Sequence, residues 1–123
     1  MSSDNYLIVH QSEDVVFDDL TALHDELMKD YNTAELMDDG DGAPAGKTFI
    51  AQDASGTVTL YNRESDRHGQ STLVWGCWGD RDNKIVAKHL TSGKLVFKFE
   101  EEGHGDSYYV ITPGKVEQPK LQF

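Results

Sequence analysis

The chain contains a single cysteine, Cys77, in 123 residues. That excludes an internal disulfide and any zinc site built from paired thiolates, so a hydrophobic core has to hold the fold. Long apolar runs are also missing. The longest, Tyr6-Leu7-Ile8-Val9 and Thr72-Leu73-Val74-Trp75, fall far below the roughly 20 residues that span a bilayer. Behind Met1-Ser2-Ser3-Asp4-Asn5 there is no basic region, apolar stretch or small-residue cleavage site, the pattern of a chain without a secretory signal. The expected setting is cytoplasmic and reducing, with no membrane association.

Basic residues are scarce and unevenly placed. Residues 1–50 hold twelve acids and two bases, Lys29 and Lys47, whereas residues 51–123 hold ten acids and nine bases. Almost all of the net charge of −11 therefore belongs to the first fifty residues. A field of this sign repels nucleic-acid phosphates and anionic membranes and speeds encounter with basic partners. Direct nucleic-acid binding is thus disfavoured. The same acids also keep a small protein soluble, as a solvated helix face and loop would.

The length suits one domain spanning residues 1–123, able to bury roughly two-thirds of the surface that the unfolded chain exposes. Tyr6 to His10 reads as a short strand. Ser12 or Asp14 can then cap a helix over about Asp14 to Tyr31, because Val16, Phe17, Leu20, Leu23, Leu27, Met28 and Tyr31 recur at helical spacing. Thr33 to Asp38 can add a turn. Residues 38–46 then form a flexible acidic Gly/Asp loop on turn chemistry alone.

From Lys47 the pattern becomes β: Thr48 to Gln52, Thr57 to Asn62, Thr72 to Trp78, Lys84 to Leu90, Lys94 to Glu100 and Ser107 to Thr112. Ser55-Gly56, Asp80 to Asn83, Ser92-Gly93 and Gly103 to Asp106 are the expected hairpin loops, and residues 113–123 read as an extended tail. The fold class is α+β. An antiparallel sheet of about five to seven strands, a meander free to curve strongly, is packed by one N-terminal amphipathic helix.

Several near-motifs fail on spacing. Gly42 to Thr48 approaches a phosphate-binding loop, but Asp41 stands where its first glycine belongs and the stretch leads into a strand instead of a helix. Asp38, Asp39 and Asp41 offer oxygen ligands for calcium, yet Ala43 occupies the third ligand position and no glutamate closes the loop. His10, His24, His68, His89 and His104 lack metal-ligand spacing; His104 with Asp106 and Glu100 to Glu102 is the nearest approach to a cluster. No cofactor, metal or catalytic set is therefore expected. Cys77 reads as a small core residue.

Trp75 and Trp78 are three apart, so a regular strand sends them to opposite faces. Trp75, on the side of Leu73 and Cys77, is the expected core residue. Trp78 is left partly exposed as a contact candidate, unless Gly76 marks a bulge that turns both inward.

Two classes of function remain. The first is a non-catalytic inhibitor or immunity-type protein, of the phage anti-defence or toxin-neutralising kind. It would cover a basic surface of a nuclease or other nucleic-acid-binding protein, its carboxylates replacing phosphates. The contact residues would be Asp18, Asp19, Asp25, Glu26, Asp30, Asp38, Asp39, Asp41 and Trp78. The second is a small-ligand barrel or compact enzyme with a pocket lined by Trp75, Tyr61, Phe97, Tyr108 or Tyr109. An accessory subunit of a larger assembly shares the features of the first class.

Overall fold

The structure is a computed structural model of the chain, described for residues 5–29, 48–62, 67–69, 71–74, 78–101, 103 and 105–119. The order of elements is β1 (Asn5–Phe17), α1 (Leu20–Met28), β2 (Phe49–Gln52), β3 (Val58–Asn62), β4 (Arg67–Gly69), β5 (Ser71–Val74), α2 (Asp80–His89), β6 (Leu90–Glu101), β7 (Gly105–Thr112) and β8 (Lys115–Glu117). It is a mixed α+β arrangement. Strands β5-β1-β6-β7-β8 form a five-stranded sheet, and β2-β3-β4 a second sheet of three. Every pairing is antiparallel. The first sheet is not a simple meander, since β1 lies between β5 and β6.

The N-terminal half departs from expectation at the strand-to-helix boundary. Strand β1 continues seven residues beyond His10, and the helix is confined to Leu20–Met28. Val15, Val16 and Phe17 carry β-branched or aromatic side chains. Val16 pairs with Ser92 and Phe17 with Leu90, so tertiary pairing overrides a spacing that suits either structure. The cap is accordingly Asp19, not Ser12 or Asp14. Its backbone is extended, and its carboxylate accepts from the Thr21 and Ala22 amides at 2.9 and 3.2 Å, satisfying donors that have no partner inside the helix. Leu23 and Leu27 are its fully buried side chains, each contributing about 1.5–3 kcal/mol by leaving water. His24 fixes the helix to β2 by donating from Nε2 to the Ile50 carbonyl and packing edge-on against Phe49.

A second correction concerns Asp80 to His89, expected as a loop followed by a strand and found as helix α2. Ile85-Val86 suggested a strand, but the helix ends are well made. The Asp82 carboxylate accepts from the Gly79 amide at 2.9 Å. Asp80 and Asp82 lie in the first turn and Lys88 and His89 in the last, each sign matching the helix dipole. Ile85, Val86 and Ala87 are buried along it.

Ser92-Gly93, expected as a hairpin loop, lies inside β6. Gly93 has φ +92°, and a Cβ there would strike the Asp14 carbonyl. Asp14 itself sits at φ +50°, where the β1–β6 register shifts between Glu13 and Val16. The glycine thus marks a bulge at which two backbones meet.

Other turns match the sequence reading. Ser55-Gly56 joins β2 to β3 around Asp53, whose carboxylate accepts from the Ser55 and Thr57 amides and the Ser55 hydroxyl. The β6–β7 hairpin turns between Glu101 and Gly105, so of the loop expected over Gly103 to Asp106 the residues Gly105 and Asp106 belong to β7. Within the expected tail, Lys115–Glu117 is extended and paired with β7. The possible helical turn at 33–38 and the loop at 38–46 lie outside the described residues.

Candidate functional site

Of the expected contact residues, Asp18, Asp19, Asp25 and Glu26 fall within the described structure, while Asp30, Asp38, Asp39 and Asp41 lie outside it. Trp78 needs correction. It is 6% exposed, donates from Nε1 to the Asn83 side-chain oxygen at 2.9 Å, and meets Phe97 edge-to-face at 5.7 Å. Trp78 lies outside any strand, since β5 ends at Val74 and Trp78 stands next to Gly79, the N-cap of α2. Trp75 and Cys77 are outside the described residues.

The four acids have different environments. Asp18 closes the β1–α1 connection, Asp19 caps α1, and Asp25 and Glu26 stand on the helix. Asp25 is exposed. Asp18 and Glu26 both reach His89, the last residue of α2, whose side chain is only 9% exposed. Nδ1 lies 2.9 Å from Asp18 Oδ1 and Nε2 2.8 Å from Glu26 Oε1. A ring with a carboxylate at each nitrogen is fully satisfied as the imidazolium, which donates from both.

Burial opposes that charge. The hydrogen bonds to Glu26 and Asp18, with the charges behind them, outweigh it and hold His89 above its ordinary range. The bond to His89 holds Asp18 below the usual carboxylate range, and bonds to His89 and then Lys88 do the same for Glu26. Lys88 donates from Nζ to both Glu26 oxygens at 3.0 Å. Arg81 donates to the Glu26 and Leu27 carbonyls at 2.9 and 3.3 Å, satisfying acceptors at the end of α1. Cations of α2 therefore clamp α1 in place. Among the described residues, no group of three or more His, Cys, Asp or Glu side chains is disposed to hold a metal ion.

The acids of β1 are differently placed. His10 through Asp14 are five consecutive exposed residues, which include Glu13 and Asp14. Beside them runs an open groove of about 610 Å³ between β1 and the start of β3, lined by residues that include Gln11, Ser12, Asp14, Ser55 and Thr57. Val9, Val15 and Val58, all buried, contribute its apolar portion. Gln52 crosses between the two walls, donating from Nε2 to the Val15 carbonyl at 2.9 Å and to the Gly56 carbonyl at 2.8 Å.

Sequence reasoning misses this region because Ser12 and Asp14 read as caps of a helix that starts at about Asp14. The alternation available to reveal it stops at Val9. The aromatic side chains expected to line a pocket do other work. Phe97 is fully buried against Trp78, Tyr61 stacks on Phe49, and Tyr108 meets the edge of His10. Of the described ones, Tyr61, Phe97, Tyr108 and Tyr109 do not line the groove.

No family model matches the chain, and no curated protein or solved structure matches it either, so the reading of its function rests on these residues.

Proposed function

We propose that this protein is a non-catalytic acidic binding protein of inhibitor or immunity type. It covers a basic surface on a partner that handles nucleic acid, offering carboxylates where that partner meets phosphates. One observation carries the reading: residues 1–50 hold a net charge of −10, and Glu13, Asp14, Asp19 and Asp25 within them are exposed. Asp18 and Glu26 serve chiefly to hold His89, so the contact set moves toward β1 and the exposed side of α1. Exposed carboxylates act over a Debye length of roughly 8–10 Å near physiological salt. Association should therefore be fast and should weaken as ionic strength rises.

The test is capture of partner from a lysate at low and high salt by the intact protein and by a Glu13→Lys/Asp25→Lys variant. Loss of at least tenfold in capture, in high salt and in the variant alike, supports the reading. Equal capture by both proteins at both salt concentrations overturns it.

A further inference from the structure

The two carboxylates on the His89 ring are held unequally. Glu26 also takes Lys88 Nζ at 3.0 Å on each oxygen, and its side chain is 28% exposed. Asp18 is 47% exposed and has His89 as its one side-chain partner among the described residues. A backbone bond from the Asp18 amide to the His89 carbonyl, at 2.9 Å, fixes the chain there independently of the carboxylate.

The other charged groups around α2 have partners elsewhere or face solvent. On α2 itself, Arg81 donates to carbonyls at the end of α1 and reaches Asp82, while Lys84 pairs with Asp80. On α1, His24 turns to the Ile50 carbonyl, Asp19 caps the helix, and Asp25 and Lys29 are exposed. Of the strands packed on α2, β8 brings Lys115 and Glu117, paired at 2.7 Å. Strands β6 and β7 bring Glu100 and Asp106, both paired with Lys98, and Glu101, which lies near Tyr109. The charge state of His89 is thus read by Asp18 and Glu26.

An imidazolium donates from both nitrogens, whereas a neutral ring donates from one and turns a lone pair toward the other carboxylate. That repulsion is relieved by moving the less restrained acid. Turning Glu26 away breaks its bonds to Lys88, but turning Asp18 carries an already exposed side chain into water.

We infer that His89 is a proton-operated latch on Asp18: the imidazolium holds the carboxylate against α2, and the neutral ring, keeping Nε2–H on Glu26, releases it to a lysine or arginine of the basic partner. The inference rests on the proposed acidic binding function and specifies how that function is regulated. Release sets Asp18 beside exposed Asp19, and loss of the ring proton makes this surface more negative by one charge. Both changes favour a basic partner, so by linkage partner binding expels the proton. Because its acidic partners hold His89 above its ordinary 6.5, affinity should rise as pH climbs from that value into the alkaline range.

The experiment uses the intact protein and an arginine-rich peptide with blocked ends, whose charge is constant between pH 6 and 9. At fixed ionic strength the peptide should bind about three- to fivefold more tightly at pH 9 than at pH 6, the worth of one exposed ion pair. In Asp18→Asn and, independently, in His89→Gln, that gain should shrink by about half or more, which separates the latch from the other histidines. A native-like spectrum confirms the fold of each variant. In the natural protein, labelled with nitrogen and carbon isotopes, the His89 ring at pH 9 should show the Nε2–H tautomer, and the Asp18 carboxyl carbon should shift between the two pH values.

Equal affinity at both pH values, or the same gain in both variants as in the natural protein, would overturn the latch and leave the acidic reading intact. An Nδ1–H tautomer with Glu26 displaced would likewise overturn the release of Asp18. Failure of the peptide to bind at either pH would overturn both readings.

Discussion

His89 Nε2 lies 2.8 Å from Glu26 Oε1, joining the last residue of α2 to the polar side of α1. This bond, with that from Nδ1 to Asp18, places a largely buried imidazole between two carboxylates. Replacement His89→Gln keeps a polar side chain but cannot reach both acids with the imidazolium geometry. The expected loss of folding stability is about 1.5–3 kcal/mol, the usual range for a hydrogen bond to a charged group. A urea titration at pH 6 measures it.

The same bonds set a pH dependence. His89 is held above its ordinary 6.5, so its contribution is complete below that value and disappears as pH rises through the higher folded value. Glu26 is held below its ordinary 4.5, so its contribution is complete above 4.5 and disappears as pH falls through the lower folded value. The network should therefore support the fold best between about pH 4.5 and 6.5. Urea midpoints across pH 3 to 9 should fall on both sides of that window in the natural protein. In His89→Gln the decline above pH 6.5 should be much reduced.

Trp78 acts as a core residue rather than a contact surface. Trp78→Ala should cost about 3–5 kcal/mol through the lost ring and the space it leaves. Trp78→Phe, which keeps a ring against Phe97 but gives up the hydrogen bond to Asn83, should cost less. Thermal unfolding of both variants distinguishes the two contributions. Indistinguishable stabilities for Trp78→Ala and the natural protein would contradict the burial.

Gly93 and Gly103 provide a controlled comparison. Both have positive φ, +92° and +83°. A Cβ at Gly93 would strike the Asp14 backbone, whereas at Gly103 it would meet nothing within 4 Å. Gly103→Ala should cost about 1 kcal/mol for conformation alone, and Gly93→Ala about 2 kcal/mol more. Differential scanning calorimetry should show the larger fall in melting temperature at Gly93.

Much of the fold was legible because several segments obey one rule only. Lys94 to Glu100 lies within β6 as its composition predicts, Ser55-Gly56 closes a hairpin, and Leu23 with Leu27 gives one buried stripe on α1. The errors occur where two rules compete. Val15-Val16-Phe17 fits both a strand and a helix start, and pairing with β6 decides it. Ile85-Val86 has strand propensity, but the Asp82 cap and the charges at both ends favour α2. Gly93 resembles a turn, because local chemistry does not reveal that Asp14 approaches from about 80 residues away.

The candidate site was legible as charge and hidden as geometry. Composition locates the acids in residues 1–50. It does not show that Asp18 and Glu26 meet a histidine more than 60 residues later, nor that Asp14 borders a groove between β1 and the start of β3.

Recognition of a basic surface is tested most directly by titrating a lysine-rich peptide into the intact protein at low and high salt. Glu13→Lys/Asp14→Lys serves as the comparison. The dissociation constant should rise at least tenfold with salt and at least tenfold in the variant at low salt. A dissociation constant insensitive to both changes would contradict recognition through the acids of β1.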